Sequence, residues 1–198
     1  MAANEIILIP QIIASVVSDS WDKIDAQMRT NNGGVQLYYT FLHGTPNEIN
    51  NRLQRLANAP TLKDRRFPLF ALIHNYTEKF DSTAFYNETE LTLWIMYPSG
   101  IKTDYEDRYT DVFEPFLYPM WQSLIETMRK SGLFYTDMSK GIEHDKTDRP
   151  DWGRYVAGLG NTEHKFGERI DGIELKLKLK LNYANCLRAQ KERRFITN

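Results

Sequence analysis

The residues best suited to chemistry are Glu143-His144-Asp145, with Asp148 and Asp151 close behind. Carboxylates and an imidazole at this spacing can hold a hard cation or position a water for acid–base work. The same residues also make ordinary solvated turns, because Asp side chains hydrogen-bond their own backbone. No H-E-x-x-H, EF-hand pattern, phosphate-cradling glycine loop or G-x-S-x-G accompanies them. Gly158-Leu159-Gly160 lacks the third glycine of a dinucleotide fingerprint. His43, His74 and His164 are scattered, and Cys186 is the single cysteine, so neither an intramolecular disulfide nor a multi-cysteine metal site can form. The reading is a protein that is not an enzyme, with no catalytic residue, cofactor or metal.

Charge supplies the other candidates. From Ile173 to Leu181 every second residue is aliphatic, and Glu174, Lys176, Lys178 and Lys180 fill the gaps. A period of two puts the aliphatics on one face of a strand and the charges on the other. Such a lysine row suits first a solvated face that guards against edge-to-edge aggregation, and next a partner-facing surface. Lys63-Asp64-Arg65-Arg66 and the terminal Arg188, Lys191, Arg193 and Arg194 can touch phosphates. RNA-binding sheets interleave aromatics with basic residues, however, and the lysine face has none. Trp152 and Tyr155, anchors in a polar segment, complete the candidate interface set.

These residues need a framework. Ile13, Val17, Trp21, Ile24 and Met28 recur at helical spacing, predicting a helix from about Pro10 to Met28 that stops at Asn31-Asn32-Gly33-Gly34. Val35 to Leu42 reads as a strand. Thr45-Pro46-Asn47-Glu48 opens a second helix with a capping box, ending before Pro60. Pro68 marks an edge or a strand start ahead of Leu69 to Ile73. Glu88 to Tyr97 alternates, and the large apolar Trp94 and Met96 on its second face imply that this face is covered too. A helical pattern runs from Asp104 to Lys130, with Pro115 and Pro119 predicting a break or kink near residues 114 to 119. Residues 137 to 168 read as a long loop or arm, and residues 187 to 198 as a basic tail leaving a single domain of residues 1 to 186. The order αβαββαβ indicates an α+β fold with a mixed or antiparallel sheet flanked by helices.

Bulk composition is that of a soluble protein of a reducing cytoplasm: 41% hydrophobic, 26% charged, mean hydropathy −0.53. A net charge of −1 opposes bulk attraction to nucleic acid or membrane. The apolar N-terminal stretch is interrupted by Glu5, Pro10 and Gln11, unlike a signal peptide, and no run approaches a membrane span. Aromatic content of 13% suits a filled core or large contact surfaces.

Five segments in order carry a resemblance: RRFPLFALIH, ETELTLWIMY, RYTDVFEPFLYPMWQSLIETM, IEHDKTDRPDWG and RIDGIELKLKLKL. They are similar to proteins of tailed phages and prophages of Bacteroidetes, including the crAss-like phages. In that group a "YP" helix is followed by an "H-x-K-x-D" loop and an "IDxIE" strand. Here these are Tyr118-Pro119, His144 to Asp148, and Ile170 to Glu174. The likeness spans roughly residues 65 to 181 and extends, in element order, to tail-terminator and neck proteins. It implies a tail-terminator-like structural virion subunit, assembled in the host cytoplasm into homo-oligomeric rings of about six or twelve copies. Its partners would be itself and neighbouring neck, tail or portal proteins, with DNA passing unbound and no membrane involved. A ring subunit needs two different faces, and the lysine row is assigned to a subunit or ring-to-ring contact. The alternatives are a small hydrolase-type enzyme using the acidic loop, and a nucleic-acid-binding module using the basic tail.

Overall fold

The computed structural model describes residues 7–81, 86–100, 106–136, 141–156, 162–164 and 169–194. Helix α1 (Ile9–Asn31) buries the stripe read from its periodicity, including Ile13, Val17, Trp21, Ile24 and Met28. Gly33 and Gly34 then take φ values of 65° and 86°, which lets the chain reverse. The expected strand is shorter and later: residues 35–39 take no regular secondary structure, and β1 is Thr40–Gly44. Partnering decided this, because only Thr40 to Gly44 lie in register with β2.

Helix α2 (Pro46–Ala57) starts as anticipated. The Thr45 side chain accepts from the Glu48 amide, and Glu48 reaches back to the Thr45 amide. A short 3-10 turn (Lys63–Arg65) leads to β2 (Leu69–Asp81) and β3 (Tyr86–Pro98). Pro68 precedes a strand start and not an edge, since β2 lies between β1 and β3.

The irregularity expected near residues 114 to 119 is a change of helix type and not an interruption of the chain's helix. Tyr109–Leu117 forms a π-helical stretch that runs directly into α3 (Tyr118–Lys130). The wider π turn accommodates Pro115, which lacks an amide hydrogen, without ending the helix. The Asn31 side-chain amide, from α1, donates to the Pro115 carbonyl at 2.6 Å.

The long-loop expectation is corrected. After β4 (Phe134–Tyr135), residues Glu143–Arg149 form strand β5, and β6 (Arg154–Val156) pairs with β7 (Thr162–His164) as a separate two-stranded unit. Strand β5 carries no apolar residue, so the usual alternation of apolar and polar was missing from the sequence. The tail expectation is corrected as well. Strand β8 (Ile170–Asn182) passes directly into α4 (Tyr183–Arg194), which buries Cys186 and Gln190. The Leu8 amide donates to Gln190 Oε1 at 3.1 Å, tying α4 to the start of α1.

The main sheet runs β1-β2-β3-β8, with β5 and β4 sharing the far side of β8. Only β1 and β2 are parallel, so the sheet is mixed and open. One face packs beneath α1, the π stretch, α3 and α4 in the larger core. Leu175, Leu177, Leu179 and Leu181 of β8 all point into that core, and burial of each contributes about 1.5–3 kcal/mol. The other face carries a smaller core from Leu42, Ile49, Leu53, Phe67, Met96 and Ile170, beneath α2. The architecture is α+β, a mixed sheet flanked by helices. No described helix is long and apolar enough to cross a membrane.

Candidate functional site

The second sheet face is covered over only part of its area. Along that face of β8 the chain runs Ile170, Gly172, Glu174, Lys176, Lys178, Lys180, passing from buried to exposed. On β3 the parallel series is Met96, Trp94, Thr92, Glu90, with Met96 fully buried and Glu90 exposed. The expectation that Met96 and Trp94 are covered therefore holds.

Trp152 marks where cover ends. Its ring lies on Gly172, so close that a Cβ there would sit 2.6 Å from Trp152 Cε3 and 2.9 Å from the Ile95 carbonyl. It also meets Trp94 at 4.7 Å between centroids. Trp152 thus packs on the sheet while remaining half-buried.

Beyond Trp152 the lysine row is exposed, and the register explains what neutralises it. Lys178 stands opposite Glu90 of β3 and Glu143 of β5, Lys176 opposite Asp145, and Lys180 opposite Glu88. The face reads as three columns, acidic on β3, basic on β8 and acidic on β5. Directly opposed opposite charges on one face attract. Lys178 and Glu143 come within 3.5 Å, but both side chains are more than half exposed, so the pair is worth at most about 1 kcal/mol. Two shallow depressions of about 280 and 580 Å³ follow the row, the first edged by Glu90, Asp145 and Lys176, the second by Glu88, Tyr135 and Lys180.

The opposite face of β5 faces the π–α3 helix. A period of two sends His144, Lys146 and Asp148 there, away from Glu143 and Asp145. The acid–imidazole–acid trio of the sequence is therefore split between two faces. Trp121 Nε1 donates to His144 Nε2 at 3.4 Å, and His144 Nδ1 donates to the Ile142 carbonyl at 2.8 Å. Both ring nitrogens are engaged, which defines the neutral tautomer with its proton on Nδ1. The Lys146 ammonium lies 4.5 Å from the Tyr118 ring centroid and 5.1 Å from that of Trp121, and contacts Asp148 at 2.5 Å. Tyr118 donates its hydroxyl to Asp148 at 2.8 Å. Burial, followed by that hydrogen bond and the Asp148 charge, pushes the phenol well above its ordinary range.

A second polar cluster is buried at the start of β8. Arg108 and Asp171, almost fully enclosed, pair at 3.0 Å. The Asp151 amide donates to Asp171 at 2.7 Å, and the Asp151 carboxylate receives Arg169 at 3.3 Å. Asp151 holds this position at φ 55°, a left-handed conformation that Asp tolerates. Burial pushes the Asp171 carboxyl up, against the downward pull of the Asp151 amide and Arg108. Sequence reading placed Asp151 in the acidic loop and missed Arg108. A lone Arg inside a helical pattern carries no signal of burial.

Of the remaining candidates, Arg188 and Lys191 lie exposed on α4, Arg188 pairing with Glu192 at 3.3 Å. The side chains of Tyr155, Arg193 and Arg194 lie outside the described residues. Cys186 lies on the buried side of α4, and burial pushes its thiol up to about 12, far from a reactive thiolate. No set of three or more His, Cys, Asp or Glu residues among the described residues is placed to share a metal ion.

The fold and site define an α+β protein with one closed and one half-open sheet face. No protein-family model matches the chain, and no curated protein matches it.

Proposed function

We propose that this chain is a structural virion subunit that forms a ring in the neck or tail of a tailed phage, supporting the DNA conduit. The observation that carries the reading is the use made of the shared motifs. Tyr118 of the "YP" helix meets Lys146 and Asp148 of "H-x-K-x-D", while Asp171 of "IDxIE" pairs with Arg108. Residues far apart in sequence are spent on joining sheet to helix, not on an open reactive cleft. Such side chains make a rigid building block. The open charged half-face and the two sheet edges left without a further strand among the described residues are the kinds of surface that repeated assembly needs. The split of Glu143 and Asp145 from His144 weighs against the hydrolase alternative.

The test is the mass of purified protein by light scattering over a wide concentration range, with negative-stain images of the heaviest species. Closed rings of about six or twelve copies are expected. A strict monomer at every concentration rejects the reading.

A further inference from the structure

Five large hydrophobic residues are notably exposed among the described residues: Leu8, Val35, Tyr38, Leu62 and Tyr135. Three of them, Val35, Tyr38 and Leu62, flank strand β1 or the 3-10 turn beside it, at one end of the sheet. Tyr135 lies on β4, at the other end. Apolar exposure is thus concentrated at the two sheet edges. Neither β1 nor β5 has a further strand partner on its outer side among the described residues. Unpaired edges are templates for another chain.

The two edges differ in charge. Beside β1, Arg65 sits over Tyr38 at 5.1 Å from the ring centroid, and its carbonyl accepts the Thr40 hydroxyl. At the other end of β1, Arg52 of α2 is close enough to His43 to hold its imidazole below the ordinary range, after burial and His74. Both arginines are exposed. At the far edge the outermost column runs Glu143, Asp145, Thr147 and Arg149. Arg149 is held by Glu174 of β8 through bonds of 2.8 and 3.0 Å, so the exposed charge at the β4 end of this edge is that of Glu143 and Asp145. One edge is therefore basic and the other acidic. Like edges repel and unlike edges attract, the condition for a head-to-tail contact between identical copies and against a two-fold one.

We propose that the β1 edge of one copy docks on the β5–β4 edge of the next, basic rim to acidic rim and Tyr38 region to Tyr135 region. The proposal deepens the ring-subunit reading and rests on it. The lysine row then runs beside the contact, behind the acidic column, without forming it.

Charge reversal tests the pairing. Glu143→Lys with Asp145→Lys makes both edges basic; Arg52→Glu with Arg65→Glu makes both acidic. Each double variant alone should need at least about tenfold more protein to assemble than the wild type, since like charges then face each other at the contact. An equimolar mixture should restore assembly as alternating rings, and the quadruple variant should assemble alone. Far-UV circular dichroism checks the fold, and Glu143→Gln with Asp145→Asn replaces any variant that does not fold, with weaker assembly expected. If both double variants assemble like the wild type, or if mixing restores nothing, the edge contact is overturned while wild-type rings keep the ring reading intact. A wild type that never leaves the monomer overturns both.

Discussion

Gly172 shows how much one missing methyl can decide. It stands where Trp152 must cross β8, and any Cβ would meet both that ring and the Ile95 carbonyl closer than van der Waals contact permits. Gly172→Val should lower the unfolding free energy by about 1–3 kcal/mol. Urea denaturation followed by tryptophan fluorescence measures this, and the Trp94–Trp152 pair should report the opening directly. An unchanged midpoint would mean that Trp152 does not pack as described. The pairing of Arg108 with Asp171 follows a different logic. Each ion costs several kcal/mol to desolvate, so the pair serves placement more than net stability. The glycine and the acid were both visible in the sequence as part of "IDGIE". What they touch was not.

At the scale of elements, the junction of β1, β2 and α2 carries the chain's one paired histidine contact among the described residues. His43 Nδ1 and His74 Nε2 lie 2.9 Å apart, with the rings stacked at 5.0 Å and Arg52 and Glu48 of α2 nearby. One shared hydrogen bond requires at least one neutral ring. Burial first, then the His74 and Arg52 charges, hold His43 below the ordinary 6.5, while Glu48 pulls weakly upward. The unfolded chain therefore binds this proton at higher pH than the folded one. Stability from the neutral His43 is present above about pH 6.5 and is lost as pH falls through the lower folded value. Unfolding midpoints of wild type and His43→Gln between about pH 7.5 and 5 check this: the wild type should lose stability on acidification more steeply. Parallel curves would remove the His43 contribution. Strand β5 makes the same point about elements from the other direction. Its residues are all polar, and β8 makes it a strand by offering an unpaired ladder from Gly172 to Lys178.

For the whole molecule, the two faces of the sheet set the division of labour. One is closed by four helical segments and holds the larger core; the other is closed only from β1 to Trp152. Helix α4 belongs to the closed side, with Cys186 in its first turn buried there and Gln190 reaching Leu8. Deleting residues 187–198 should therefore destabilise the domain by about 1–3 kcal/mol, through loss of the partly buried Leu187 and Ala189 and of a part-buried hydrogen bond from Leu8 to Gln190. A thermal melt decides between this and a detachable tail, whose removal would leave the midpoint unchanged.

Local order was written in the residues themselves. The α1 stripe, the Thr45–Glu48 cap, the Gly33-Gly34 stop and the alternation of β3 and β8 each depend on neighbours within a few positions, where periodicity and backbone preference act directly. The α+β class followed from their order. Tertiary structure alone decided the matters that depend on distant partners. It shortened the first strand to the residues opposite β2 and made a strand of EHDKTDR. It also carried the helix through Pro115 as a π turn and folded the basic tail back as α4. For the candidate site, the lysine row was legible because a period of two needs no partner to be seen. Its acidic flanks, the inward turn of Trp152 and the burial of Arg108 were not, since cross-strand register and desolvation are properties of contacts between segments far apart in the chain.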